Sequence, residues 1–100
     1  MKRTIWKYPL EIQDTQYIEV PSLSRVLSTI EQDNKPIIYF LVSPESKKTK
    51  IRIAIMGTGQ PYEPDSLDEL SYIGTVTTHQ GKLVWHIFAE LQALRQQPTP

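Results

Sequence analysis

Residues 50–61, KIRIAIMGTGQP, constrain what this chain can fold into more than any other stretch. Ile51, Ile53 and Ile55 recur at every second position, so an extended strand puts three branched side chains on one face. Arg52, Ala54 and Met56 take the other face, which is only half covered. Gly57-Thr58-Gly59 ends the strand. Its glycines allow positive φ and close backbone approach, and Pro61 brings no N–H to a ladder. A chain organised around such a strand is β-rich, and its fold is decided by what pairs on either side.

The flanking segments read the same way. Residues 4–12 alternate, with Trp6, Tyr8, Leu10 and Ile12 on one face and Ile5, Lys7 and Glu11 on the other. Pro9 places that strand at a sheet edge or breaks it there. Residues 14–16 read as a turn into a short returning strand at 17–20, which Pro21 ends. Residues 25–31 carry Val26, Thr29 and Ile30, a β-branched set that favours strand. The Asp-Asn-Lys-Pro turn at 33–36 predicts a hairpin into IIYFLV at 37–42, apolar on both faces like a covered central strand. SPESKKT at 43–49 is a polar loop expected to lead back antiparallel into the isoleucine strand. Residues 60–71 predict a long acidic loop with one helical turn near 66–70. Residues 72–78 and 82–88 form the clearest hairpin, with Gln80-Gly81 at its turn, Thr75 opposite His86 and Val76 opposite Trp85. Helical composition at 89–97, with Leu91 and Leu94 on one side, extends a β core at 1–88, and 98–100 form a frayed tail. The expectation is one domain over 1–100, mainly β: a small antiparallel sandwich or barrel of six to seven short strands with a short C-terminal helix.

Composition narrows the function classes. Eleven basic and eleven acidic residues cancel, which argues against general nucleic-acid or anionic-membrane affinity. There is no cysteine, so disulfides and thiolate metal sites are excluded. No apolar run approaches the roughly 20 residues of a membrane span, and the start reads as no signal peptide, so a cytoplasmic protein is expected.

The candidate chemistry is sparse. Gly57-Thr58-Gly59 is either a strand-ending turn or a place where backbone N–H groups face a ligand. A dinucleotide fingerprint needs a third glycine and a following helix, and this sequence has neither there. His79 and His86 fall near the tip and in the middle of the last hairpin, too far apart to share a metal, and His86 reads as a hydrogen-bonded histidine rather than a base. No metal or cofactor is expected. Lys47, Lys48, Lys50 and Arg52 make a basic stretch and Glu63, Asp65, Asp68 and Glu69 an acidic one, either solvated or complementary to a charged partner. Arg52 is placed to pair a phosphate or carboxylate. Trp6, Tyr8, Tyr39, Tyr72, Trp85 and Phe88 read as core. Tyr62, between two prolines, reads as a stacking or interface residue.

Taken together, TIWKYPLEI near the start, IRIAIMGTGQP and YIGTVTTHQGKLVWHIF resemble a family of small phage and prophage proteins of unassigned function. That family shows a KYPLEI start, a GTGHP-like turn and a YIGTV…GG-L-V-H-F ending. This sequence departs at Gln60, where the family often has histidine, and at Gln80, where it often has glycine. The first departure counts against a catalytic or metal role at that position here. The resemblance implies phage origin and action in the host cytoplasm, countering host defence. The expected function is a non-enzymatic, homo-oligomeric binding module that sequesters a small anionic or nucleotide-like signal. Its alternative is inhibition of a host defence protein, and behind these stand a nucleotide-signal hydrolase using His79 or His86 and a minor virion factor. Candidate contacts are Arg52, Thr58, Gly59, Gln60, Tyr62 and His79.

Overall fold

A computed structural model describes residues 2–94. Seven strands form two antiparallel sheets: β1 (Thr4–Pro9), β2 (Thr15–Pro21), β3 (Ser24–Gln32), β4 (Lys35–Val42), β5 (Lys48–Gly57), β6 (Ser71–Thr78) and β7 (Leu83–Ala89). One sheet runs in the order β1-β4-β3 and the other β2-β5-β7-β6. They enclose a core of Leu10, Val20, Ile38, Phe40, Val42, Ile51, Ile53, Ile55, Val76, Ile87 and Ala89. The alternation at 50–56 is realised as expected. Ile51, Ile53 and Ile55 point into the core, while Arg52 and Met56 lie on the outer face.

Local chemistry decides the turns. Asp33 and Asn34 both adopt positive φ, 53° and 62°, as the two central residues of a hairpin whose twist matches its strands. The β6–β7 tip carries His79, Gln80 and Gly81 at positive φ, and Lys82 N–H closes it onto the His79 carbonyl. Thr75 faces His86 and Val76 faces Trp85. Pro9 ends β1, which is an edge strand. β4 is the centre of its sheet.

Two expected pairings are corrected. The strand at 17–20 does not return along β1; β1 pairs with β4 and β2 with β5. Leu10 is the reason: it is fully buried, and its N–H donates to the Pro36 carbonyl, so the chain turns from one sheet to the other there. Likewise, the 43–49 loop does not fold β5 back onto β4. Ser22 N–H binds the Lys47 carbonyl at 2.7 Å and steers β5 to β2, where Glu19 lies opposite Lys50 and Ile18 opposite Ile51.

Nor does the 66–70 segment make a helical turn. Ser66, Asp68 and Leu70 donate to carbonyls three residues back in successive turns, and Glu69 has φ 65°. At the C-terminal end the helical extension is reduced to one 3-10 turn, Leu91–Ala93. Glu90 N–H binds the Arg52 carbonyl, which keeps the chain on the β5 ladder up to that point. The expected helix residues at 95–97 and the tail at 98–100 lie outside the described residues. No helix among the described residues is long and apolar enough to cross a membrane.

Candidate functional site

The order β5-β7-β6 has a consequence for the connection between β5 and β6. The chain leaves β5 opposite Trp85, near the start of β7, and enters β6 opposite Ala89, at the end of β7. Residues 58–70 must therefore travel the length of the sheet. Their side chains line cavities against its outer face together with Met56, His86 and Phe88. Side-chain hydrogen bonds pin this loop at Thr58, Gln60 and Ser66. Thr58 Oγ1 lies 2.7 Å from His86 Nε2. Gln60 accepts Gly57 N–H at 2.8 Å and donates to Asp14 Oδ1 at 3.1 Å. Arg52 Nη1 donates to the Ser66 carbonyl at 3.2 Å.

On the outer face, strand alternation sends Val84, His86 and Phe88 away from the core because Ile87 and Ala89 fill it. Register then sets Thr75 beside His86 and Tyr72 beside Phe88. The result is a continuous polar chain. Tyr72 OH bonds Thr75 Oγ1, Thr75 Oγ1 lies 2.9 Å from His86 Nδ1, and His86 Nε2 meets Thr58. Each hydroxyl both donates and accepts, so a neutral imidazole is satisfied in either tautomer, and an imidazolium donates at both ends. The ring is thereby fixed in orientation.

Beside this chain is a cavity of about 270 Å3 lined by Met56, Gly57, Thr58, Gly59, Gln60, Tyr62, Leu67, His86 and Phe88. Aromatic and aliphatic walls stand there beside the polar side chains of Thr58, Gln60 and His86, a mixture typical of small-ligand pockets. Tyr62, 56% exposed, also borders a second cavity of about 400 Å3 whose lining includes Asp14 and Glu63. A third cavity, about 630 Å3, shares Gly57, Thr58, Gly59 and Gln60 and adds Lys82 and Trp85. Gly59 has φ +84° and open space where a Cβ would stand, so the turn is bare at that point.

Of the expected site residues, Thr58, Gly59, Gln60 and Tyr62 are brought together at this cavity. Arg52 and His79 are not among its lining residues. Arg52 is committed to the loop through Ser66, and its backbone N–H to Glu90 Oε1. His79 sits at the β6–β7 tip, where its N–H binds Asn34 Oδ1 and its ring meets Thr78 Oγ1. Sequence reasoning named His86 only in the hydrolase alternative and read Phe88 and Tyr72 as core, whereas Tyr72 is 59% exposed. The latter two are outward-facing and form an edge-on pair, with ring centroids 5.6 Å apart. The signal was present in the alternation Val84, His86, Phe88 against Trp85, Ile87, Ala89. Among the described residues no group of three or more His, Asp or Glu side chains is placed to hold a metal ion.

Fold and site together define a two-sheet antiparallel β protein with a ligand-sized cleft under a cross-sheet loop. The chain belongs to the family described as Domain of unknown function (DUF7352), whose model matches residues 1–97. Nothing among curated proteins or solved structures matches it.

Proposed function

We propose that this protein is a small-molecule binding module that takes a planar, hydrogen-bonding ligand of nucleobase-like shape into the 270 Å3 cavity. The observation that carries this reading is the imidazole of His86, locked between Thr58 and Thr75 and bordered by Tyr62, Leu67 and Phe88. Both ring nitrogens are taken by the threonines, so the ring offers its face for stacking, and holding it in place beforehand lowers the ordering cost of binding. A ligand's anionic portion fits over bare Gly59 toward Lys82, rather than toward Arg52, which is already bonded, or toward the Asp14 and Glu63 side. The resemblance to small phage proteins supports a setting in the host cytoplasm, with the ligand a nucleotide-like defence signal removed by sequestration.

Native mass spectrometry of the full chain, incubated with a small-molecule extract of defence-activated cells, tests this. The expected spectrum shows a retained mass that heat releases chemically intact and that His86→Ala abolishes. A spectrum with no retained mass overturns the reading. One observation favours hydrolysis as a second reading: the 2.7 Å Thr58–His86 contact has the geometry of a base-activated hydroxyl. Release of a cleaved ligand, dependent on both residues, is its signature.

A further inference from the structure

We infer that the far end of β5 carries a second, independent site, for a small phosphorylated molecule. β5 runs from Lys48 to Gly57, so nine residue steps of about 3.3 Å put its two ends roughly 30 Å apart. At the Lys48 end lies a cavity of about 570 Å3, lined by Ser22, Leu23, Ser46, Lys47, Lys48, Thr49 and Ala93. Two lysines and the hydroxyl-bearing Ser22 and Thr49 are in that lining, a donor set that an oxyanion accepts from. Among the described residues no acidic side chain is in that lining. Among the described residues the ion pair is Lys35 with Glu11, so no described carboxylate neutralises Lys47 or Lys48.

The platform is rigid for a loop. Ser22 N–H binds the Lys47 carbonyl at 2.7 Å, Ser43 N–H the Leu23 carbonyl at 3.0 Å, and Leu23 N–H the Ser46 hydroxyl at 3.2 Å. Ser46 N–H and Oγ both donate to the Ser43 carbonyl, at 3.0 and 2.8 Å. These bonds consume the backbone donors and fix where the side chains start. Lys48 is further positioned by Trp6, whose ring centroid is 5.8 Å from Nζ. The Lys47 and Lys48 ammoniums and the Ser22 and Thr49 hydroxyls are left to meet a ligand. Two lysines line this pocket in a chain of zero formal charge, which fits a small phosphate compound rather than a polyanion.

The test is an amide-resolved NMR titration of the full chain with pyrophosphate, at ionic strength matched by sodium chloride. Saturable shifts are expected at residues 22–24 and 46–49, with Gly57 to Gln60 unmoved. That second condition separates this site from the cleft beneath the 58–70 loop. Lys47→Ala should weaken binding by about tenfold, and Lys47→Arg should retain it, with the unfolding midpoint unchanged in both. Ser22→Ala gives an independent second variant, expected to weaken binding about fivefold. Shifts that do not saturate, that sodium chloride reproduces, or that survive Lys47→Ala overturn the inference.

Discussion

Thr58 Oγ1 and His86 Nε2, 28 residues apart in sequence, stand 2.7 Å apart across the turn that follows β5. This contact joins the cross-sheet loop to the middle of β7, so one bond serves both loop order and site geometry. Thr58→Val removes the hydroxyl at nearly constant volume. The group is exposed, so global stability should fall by no more than about 1 kcal/mol. The loop should respond more: proteolytic cleavage within residues 60–70 is expected to quicken several-fold, as the local opening equilibrium shifts. Unchanged cleavage kinetics would show that Gln60–Asp14 and Arg52–Ser66 hold the loop alone.

Gly74 and Thr29 mark where the two sheets meet. A Cβ built at Gly74 would stand 2.7 Å from Thr29 Cγ2. Gly74→Ala is therefore expected to destabilise by about 1–2 kcal/mol through overpacking at the β6 bulge. For a chain of this size that lowers the unfolding midpoint by roughly 4–16 °C. Thr29→Ser deletes the obstructing methyl and keeps the hydroxyl that donates to the Ile37 carbonyl at 2.8 Å. The double variant should recover most of the loss. Simple additivity in a thermal-unfolding cycle would sink the steric account.

How much of this was legible follows from the range of the interactions. Period-two alternation and turn residues act over a few positions, so Ile51, Ile53 and Ile55 on the core face and the Thr75–His86 register could be read directly. Sheet assignment could not. It depends on Leu10 reaching Pro36 and on Ser22 reaching Lys47, contacts between segments with no sequence mark of partnership. The site divides along the same line. Thr58, Gly59, Gln60 and Tyr62 are consecutive or nearly so and were found as a group. His86 and Phe88 reach them only because β7 lies between β5 and β6. The Arg52 contact was hidden for a related reason, since its partner is a backbone carbonyl fourteen residues on and no side chain advertises it.

Ile53 is fully buried at the centre of the core. Ile53→Ala should cost about 2–5 kcal/mol, a large share of the stability of a domain this small. Ile5→Ala, on an edge strand at 58% exposure, should stay within about 0.5 kcal/mol. Equilibrium denaturation of the pair checks that the β5 alternation, and not hydrophobicity alone, sets the core. Equal losses would contradict the burial.

Tyr8 supplies a pH-dependent term of definite sign. Burial raises its phenol above the ordinary value of 10.0. Its ring stands edge-on to Phe40, with centroids 5.5 Å apart, in the interior that β1 helps close. The folded state therefore holds the Tyr8 proton more tightly than the unfolded chain does. The associated stability is present in full below pH 10, where both states are protonated. It is lost as pH rises past 10, because the unfolded chain ionises first. Unfolding midpoints measured between pH 8 and 11 should fall at the alkaline end, and Tyr8→Phe should make that fall shallower. Removing one hydroxyl leaves the remaining tyrosines to titrate as before, so the difference between the two curves isolates Tyr8. Parallel curves would mean that the phenol ionises alike in both states and that its burial carries no penalty for charge.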